Sequence, residues 1–304
     1  GSMSVWFSHH SYAFVLALKR LAGAPIGNLL SIIVIGIAFS LPAGIYILLE
    51  NLQAFSGQVS GAPQLSLFMK LDANTEEVEQ IESRLKQHPQ VASFDFISRD
   101  SALEQLKQGS GLADVMDSLE QNPLPDAFLI NAMSLSPGAL EALRTELQGW
   151  SKVEYVQLDS AWAKRLDALL KLGRLAVLML AALLGFALVA VTFNTIRLQI
   201  LTKGDEIEVS KLIGATNGFI RRPFLYFGAI QGMAGGVAAW LIIFLGVHLI
   251  GDELTDLMQL YEINLRLYHL SHEDSVSLLL FSACLGWAGA WLSVANHLWQ
   301  IEPR

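Results

Sequence analysis

Four long apolar runs limit what this chain can fold into more than any other feature of its sequence. They cover residues 29–49, 175–196, 223–250 and 276–299, and none contains Asp, Glu, Lys or Arg. Each run is close to or above the ~20 residues that a helix needs to cross the hydrocarbon core of a bilayer. Of the 304 residues, 53% are hydrophobic and only 16% are charged. The sequence therefore predicts an α-helical membrane protein with four transmembrane helices.

The segments between the runs predict how the chain crosses the membrane. The loop 197–222 carries 5 basic and 3 acidic side chains, whereas the loop 251–274 carries 1 basic and 6 acidic ones. Because loops on the cytoplasmic side are enriched in Lys and Arg, we expect the first loop and both termini in the cytoplasm. The long segment 50–173 then faces outward.

These boundaries give a predicted layout for the whole chain. Residues 1–3 are interpreted as a cleavage scar and a start Met, and 4–28 as an amphipathic helix on the inner leaflet. The other segments are the transmembrane helices 29–49, 174–196, 223–250 and 275–299, the outward domain 50–173 with an insertion at 98–126, the cytoplasmic loop 197–222, the short outward loop 251–274 and the cytoplasmic tail 300–304.

The outward domain alternates between strand and helix patterns. Apolar side chains recur at every second position in four stretches, and at helical spacing in two stretches between them. The order strand, helix, strand, insertion, strand, helix, strand predicts an α+β domain with a split βαβ, ferredoxin-like sheet. The strand positions are Leu65, Leu67, Met69, Leu71, then Ala92, Phe94, Phe96, then Phe128, Ile130 and finally 153–158; the helix positions are Val78, Ile81, Leu85 and Leu140, Leu143, Leu147.

The insertion lies between the second and third strands, which such a sheet normally joins directly. Two short helical patterns, 99–108 and 111–121, carry apolar stripes within it. Stripes of this kind most often cover a sheet, but the helices predicted at 75–88 and 137–149 already cover one of its faces. We therefore expect the insertion to protrude and to bind a partner through Leu103, Leu106, Leu112, Val115, Met116 and Leu119.

The cytoplasmic loop has the pattern of a helix, a turn and a second helix. Glu206 and Glu208 fall early in the first helix. Gly214 suits the C-terminal stop of that helix, and Thr216 suits the N-cap of the next. From spacing alone, the loop fits a plain connector as well as it fits an element that docks on another protein.

Small residues recur in the third run, at Gly228, Gly232 and Gly236. A stripe at four-residue spacing lets two helices approach closely. We therefore expect a helix contact there, either within the protomer or at a dimer interface. Residues 160–199 have helical character throughout, which predicts one long helix that extends the second span outward.

The sequence lacks the patterns of enzymes and of nucleotide binding. It contains no GxxxxGK[ST], HExxH or GxSxG pattern, and no His or Cys cluster with metal-ligand spacing. We therefore expect no catalytic residue, metal or cofactor in this chain, and we expect a partner subunit to bind any ATP. An acidic chain without a basic patch is not expected to bind nucleic acid.

Two strings of the sequence resemble one known family. EIEVSKLIGATNGFIRRPFLY, at 206–226, and NPLPDAF, at 122–128, are similar to segments of FtsX, the permease-like membrane subunit of the cell-division ABC complex FtsEX. Four spans occur in the same order as in that family. The resemblance extends over nearly all of residues 19–304.

The resemblance implies a homodimer in the bacterial inner membrane at the division septum, paired with two FtsE ATPases and working with other division proteins. It implies that the ATP cycle is transmitted outward to switch on periplasmic peptidoglycan hydrolases through an EnvC-like amidase activator. It also implies that the cytoplasmic loop seats against the ATPase, and the residues that match this loop are Glu206, Ile207, Glu208, Val209, Leu212, Ile213, Gly214, Ala215, Thr216 and Phe219.

Other membrane proteins fit parts of the sequence. A lipoprotein-releasing or efflux permease has the same four-span plan, but its outward domain is usually much larger. A receptor without an ATPase partner leaves the GAT-containing loop unexplained. A membrane enzyme has no support, because the sequence shows no catalytic constellation.

Overall fold

The computed structural model describes residues 2–59, 65–110, 121–159, 161–261 and 266–299. The chain divides into two compact units. One combines Gly1–Asn51 with Gly173–Arg304, and the other is Leu52–Leu172. We call the first the helical unit and the second the sheet unit.

The described helices and strands include the predicted spans. In chain order they are α1 (Ser2–Gly23), α2 (Pro25–Val59), β1 (Leu65–Met69), α3 (Thr75–Gln87), β2 (Val91–Ile97), α4 (Arg99–Ser110), β3 (Ala127–Ala132), α5 (Pro137–Gln148), β4 (Val153–Leu158), α6 (Ala161–Thr202), α7 (Gly204–Leu212), α8 (Asn217–Gln259) and α9 (His272–Leu298). Four of these helices, α2, α6, α8 and α9, are long and apolar enough to cross a membrane. The prediction of four transmembrane helices is confirmed.

The spanning helices continue beyond their apolar runs. α2 extends to Val59 and α8 to Gln259, past the predicted ends of their spans at 49 and 250. α6 is one unbroken helix of 42 residues, in agreement with the long helix predicted for 160–199. At a rise of ~1.5 Å per residue, such a helix is about 60 Å long.

The sheet unit contains a four-stranded sheet in the order β2-β3-β1-β4. β1 is antiparallel to both of its neighbours, β3 and β4, and β3 is antiparallel to β2. β1 and β2 are thus joined by a helix and separated by β3, which is the split βαβ arrangement. The predicted ferredoxin-like fold is confirmed.

One face of this sheet and the apolar stripes of α3 and α5 form the core of the sheet unit. Every second side chain of β1 is buried, as the period of a strand requires. The positions predicted on the two helices are buried as well. The core includes Leu65, Leu67, Met69, Val78, Ile81, Leu85, Phe128, Ile130, Leu140, Leu143, Leu147, Val153 and Val156.

Side-chain caps fix where α3 and α5 begin. The Asn74 side chain accepts a hydrogen bond from the Glu77 N–H, and the Glu77 carboxylate accepts one from the Asn74 N–H, both at 2.9 Å. Ser136 caps α5, and Pro137 follows at its start. Such caps satisfy backbone N–H groups that the first turn of a helix leaves unpaired.

The prediction for the end of the first strand is wrong. Leu71 was expected to continue the buried face of β1, but the strand ends at Met69, and Leu71 is 58% exposed. The pairing of β1 with β4 shifts register between Phe68 and Met69. The regular alternation of faces therefore stops before Leu71.

The second strand also departs from the simple pattern. Ala92 and Phe96 are exposed, although Phe96 is paired with the buried Phe128 and its ring lies 5.0 Å from the Phe128 ring. β2 is an edge strand, so it has a neighbouring strand on one side only. Val91 and Phe94 of this strand pack against the core without being fully buried.

Candidate functional site

The loop 197–222 forms the helix–turn–helix that its sequence predicts, and we call residues 203–219 the coupling segment. Gly214, two positions beyond the end of α7, has a left-handed conformation with a φ of 96°. The Gly214 N–H donates to the Lys211 carbonyl at 3.0 Å, and the Ala215 N–H donates to the Ser210 carbonyl at 2.9 Å. These two bonds make a Schellman motif, which fixes the direction in which the chain leaves the helix.

Thr216 begins the next helix as predicted. Its side-chain oxygen accepts a hydrogen bond from the Phe219 N–H at 3.3 Å. The turn between α7 and α8 is thus held by a C-cap on one side and an N-cap on the other. A segment that is capped in this way presents its exposed side chains in a defined geometry.

The two faces of α7 have different surroundings. Ile207 is buried in a cluster that includes Ile220 and Phe224 of α8. Three apolar side chains lie on the other side, and they are exposed to 58% (Val209), 68% (Leu212) and 82% (Ile213). We call these three residues the apolar edge. Glu206 and Glu208 are exposed beside it.

A second contact holds α7 against the end of α9. The Lys211 ammonium donates to the Leu298 carbonyl at 3.2 Å, close to the C-terminus of that helix. A cation near the carbonyl end of a helix is favourable, because the last carbonyl groups have no partner within the helix. The buried Ile207 and this hydrogen bond fix α7 from two directions, so the apolar edge is free to face another molecule.

Phe219, which the resemblance places in the ATPase contact, also contacts another helix of this chain. Its ring is half-buried and packs against α1, with the His9 ring at 5.4 Å and the Tyr12 ring at 6.0 Å. The side chain therefore joins two helices of this chain.

The sequence did not indicate that α1 packs on the start of α8. Ala13 and Ala17 are buried, and His10 Nδ1 lies 2.7 Å from the Tyr226 hydroxyl. The Arg20 guanidinium lies 4.6 Å from the centre of the Phe224 ring. The signal that could have revealed this contact is the pair of small residues, Ala13 and Ala17, one turn apart in a helix rich in aromatic residues.

Burial lowers the pKa of Arg20, and the nearby negative charge of Glu206 opposes this effect. The guanidinium stays charged, because its ordinary pKa is far above neutral pH. A positive charge on α1 and a negative charge on α7 thus attract each other. The N-terminal helix and the coupling segment are therefore connected by charge as well as by packing.

The glycine stripe lies against α9 of the same chain. A Cβ added to Gly228 would lie 2.5 Å from the Gly286 carbonyl oxygen, and one added to Gly236 would lie 2.9 Å from the Ser282 hydroxyl. A Cβ on Gly232 would collide with the Ser282 carbonyl oxygen. The backbones of α8 and α9 are in direct contact along this seam.

The structure describes only part of the insertion. α4 covers the first predicted helix, and Leu103 and Leu106 are half-buried on it. Asp126 holds the start of α4, since its carboxylate accepts from the Arg99 N–H at 2.8 Å and from the Arg99 guanidinium at 3.2 Å. The other four residues of the predicted stripe, Leu112, Val115, Met116 and Leu119, lie outside the described residues.

Among the described residues, no group of three His, Cys, Asp or Glu side chains could hold a metal ion. Gln231, one of the few polar residues of the third span, is buried inside the helical unit.

Two family models match the chain. The FtsX extracellular domain matches residues 62–170, and the FtsX-like permease C-terminal matches residues 178–300. A cell division protein FtsX from Pseudomonas putida is 39% identical over 302 residues, which cover 99% of this chain and 89% of that protein. The chain belongs to the FtsX family.

Other FtsX proteins match over comparable lengths. The one from Aeromonas hydrophila is 34% identical and covers 99% of this chain and 95% of its own length. The one from Neisseria gonorrhoeae is 29% identical and covers 98% of each. Because the chain belongs to the FtsX family and has four helices that can span a membrane, it is a permease-like, multi-pass inner-membrane protein of cell division.

Proposed function

We propose that this FtsX-family chain couples ATP hydrolysis by a cytoplasmic FtsE-like ATPase to the activation of periplasmic peptidoglycan hydrolases. It acts as a homodimer at the division septum, with both termini in the cytoplasm and an EnvC-like amidase activator as its outward partner. The chain itself is not an enzyme and binds no cofactor. The observation that carries the proposal is the exposed apolar edge of the coupling segment.

The apolar edge has the properties of a docking surface. Val209, Leu212 and Ile213 expose most of their side chains to solvent, on a segment that is capped at both ends of its turn. Fully burying one such side chain stabilises a complex by roughly 1.5–3 kcal/mol, before the entropic cost of association is subtracted. The ATPase is expected to offer an apolar groove with basic side chains at its rim, opposite Glu206 and Glu208.

The ATPase activity belongs to the partner because this sequence has no phosphate-binding loop pattern. Docking at the coupling segment would place the ATPase next to α6, α7 and α8. α6 continues without a break from residue 161 to residue 202. A continuous helix is suited to carry a displacement from one end to the other.

The outward partner is proposed to bind the insertion. The apolar positions Leu103, Leu106, Leu112, Val115, Met116 and Leu119 would form the contact with a helix of the activator. Met116→Glu and Leu119→Glu should each weaken activator binding by roughly thirtyfold or more, if a central anchor is worth ~2 kcal/mol. Unfolding of the sheet unit by these variants would instead show that the stripe belongs to its core.

The experiment that tests the cytoplasmic contact is co-purification of the ATPase with variants of the membrane subunit. Leu212→Glu with Ile213→Glu, or Gly214→Pro, should abolish capture of the ATPase. The first pair places charges in the apolar edge. Gly214→Pro removes a left-handed conformation and the N–H that bonds Lys211.

Leu260→Glu is the matched control, because Leu260 is equally exposed but lies just beyond the opposite end of α8. It should capture the ATPase as the unchanged chain does. Normal capture by both the double variant and Gly214→Pro would disprove the assignment of the docking surface.

A further inference from the structure

A small cavity lies between the start of α8 and the end of α9, on the side of the coupling segment. Its volume is about 180 Å³. The buried residues Val294 and Leu298 of α9 form its apolar floor, and the other lining residues include Trp291, Trp299, and Asn217 and Arg221 of α8. The cavity combines one cation and one amide with a wall that is otherwise apolar or aromatic.

Among the described residues, Arg221 is the only charged side chain that lines this cavity. It is exposed, and it forms no ion pair or hydrogen bond with any other residue in the described part of the chain. It also lies in the second turn of α8, whose N-terminal end carries a partial positive charge. The polar side of the cavity is therefore suited to an anion.

The position of the cavity relative to the membrane restricts which kind of molecule can carry the anionic group. The apolar run of α8 begins at 223, two positions after Arg221, and α9 ends beside Trp299. Basic residues at the ends of a span and exposed tryptophans mark the depth of the lipid headgroups. The cavity therefore opens where a phospholipid has its phosphate.

An apolar path continues from the cavity along the surface of α9. Trp291 is followed one turn deeper by Trp287, the two rings are stacked at 6.4 Å, and both are partly exposed. A soluble anion would use Arg221 and leave this surface without a partner. A phospholipid would use both, because its acyl chain can lie along the indole rings.

We propose that this cavity binds an anionic phospholipid, with its phosphodiester paired to Arg221 and its glycerol and acyl chain packed on Trp291 and Trp299. Basic pockets between transmembrane helices on the cytoplasmic side commonly bind such headgroups. The floor residue Leu298 is also the residue whose carbonyl accepts from Lys211 of α7. The bound lipid thus lies next to the contact that holds the coupling segment.

The test is lipid binding to the purified full-length chain, without any ATPase, so its outcome is independent of the proposed function. Native mass spectrometry of the chain in detergent gives the Kd for added phosphatidylglycerol and for phosphatidylcholine. Arg221→Gln should raise the Kd for phosphatidylglycerol about fivefold, the change expected for one cation at an anionic headgroup. Its Kd for phosphatidylcholine should stay within about twofold.

Matched variants distinguish specific binding in the cavity from a general effect of positive surface charge. Arg197→Gln removes an exposed cation near the C-terminal end of α6, outside the cavity. It should leave the Kd for both lipids unchanged. Arg221→Lys keeps the charge and should bind nearly as the unchanged chain does. An equal loss with Arg197→Gln and Arg221→Gln overturns the proposal, because it shows a surface effect.

Two further arms test the apolar half of the site. Trp299→Ala should also weaken phosphatidylglycerol binding severalfold. Because the Trp299 side chain is largely exposed, this variant should fold even if Arg221→Gln lowers the yield of folded protein. Glycerophosphoglycerol, the same headgroup without acyl chains, should fail to compete at concentrations that saturate the lipid. Equally tight binding of this soluble compound would show an anion site and overturn the lipid assignment.

Discussion

The core of the sheet unit and the α8–α9 seam of the helical unit are held together in opposite ways. The sheet unit fills its interior with large apolar side chains from both the sheet and its helices. The seam excludes side chains, so that the backbone at Gly228 and Gly232 touches the backbone at Gly286 and Ser282. The hydrophobic effect stabilises the core of the sheet unit, because burying apolar area away from water is favourable. Lipid tails are as apolar as leucine, so the α8–α9 seam must be stabilised by close van der Waals packing instead.

This difference predicts that the two units are most sensitive to opposite changes in side-chain volume. Removing side-chain volume should damage the sheet unit, and adding it should damage the seam. Pairs of variants that make a similar change at a packed and at an open position test this expectation.

The largest effect is expected for Gly232→Leu. A Cβ at this position already collides with the Ser282 carbonyl oxygen, and a backbone atom cannot move aside as a flexible side chain can. We expect the helical unit to lose its fold, at a destabilisation of ~3 kcal/mol or more. The measurement is the yield of monodisperse protein after heating, followed by size-exclusion chromatography.

Gly246→Leu is the control for this substitution. Gly246 lies on the same helix, but no atom lies within 4 Å of a Cβ built there. The chain should tolerate this leucine. A Gly232→Leu protein as heat-stable as Gly246→Leu would show that the seam can open without loss.

The next effect is expected for Leu67→Ala in the sheet unit. Leu67 is fully buried opposite Phe128, so the change leaves a cavity in a packed core. Such changes destabilise a domain by ~2–5 kcal/mol. Chemical denaturation followed by the near-UV signal of the sheet unit measures the loss.

Leu71→Ala makes the same chemical change four positions later. Leu71 lies beyond the end of β1 and is exposed, so the change should cost less than ~0.5 kcal/mol. Similar losses for the two variants would mean that the buried face extends further than the strand.

A smaller effect is expected for Asp126→Ala. The Asp126 carboxylate accepts two hydrogen bonds from Arg99, and it ties the start of α4 to the start of β3. Its loss should cost ~1–3 kcal/mol and should raise hydrogen exchange in α4 first. Asp95→Ala, at an exposed carboxylate of the edge strand, should leave this exchange unchanged.

The smallest effect concerns pH and the pair Asp72 and Lys152. A hydrogen bond from the Lys152 ammonium at 3.1 Å lowers the pKa of Asp72. A carboxyl group with a lowered pKa in the folded state stabilises that state above its unfolded pKa of ~3.9, and the contribution disappears as the pH falls through the folded value. Lys152→Gln should raise the pKa of Asp72 in an NMR titration and flatten this part of the stability profile. An Asp72 pKa that does not move would show that the exposed pair has no effect in solution.

Much of the fold follows from the sequence, because period and length are local properties. The strands around Leu67 and Phe128 have the period-two pattern of a half-buried strand, and the four spans have both the length and the lack of charge that a bilayer requires. The edge strand β2 was less predictable. Its apolar pattern is that of a buried strand, and the number of neighbours of a strand is not a local property.

At the candidate site, the turn and its helix caps could be predicted from the sequence, but the partners of the packed side chains could not. Gly214 and Thr216 gave the turn and both caps, because left-handed backbone and N-caps strongly select residue types. The glycine stripe predicted close packing, but only the fold shows that its partner is α9 of the same chain. The same holds for Phe219, whose partners on α1 are more than 200 positions away in the sequence.

This long separation has a consequence for how the chain is made. His10 and Tyr226 are hydrogen-bonded but lie 216 residues apart. At a synthesis rate of roughly 5–20 residues per second, α1 leaves the ribosome about 10–40 s before its partner on α8 exists. During that time α1 cannot form its packing with α8. Because Phe219 of the coupling segment packs against α1, and Lys211 of the same segment bonds Leu298 near the end of the chain, this segment can reach its final form only late in biogenesis.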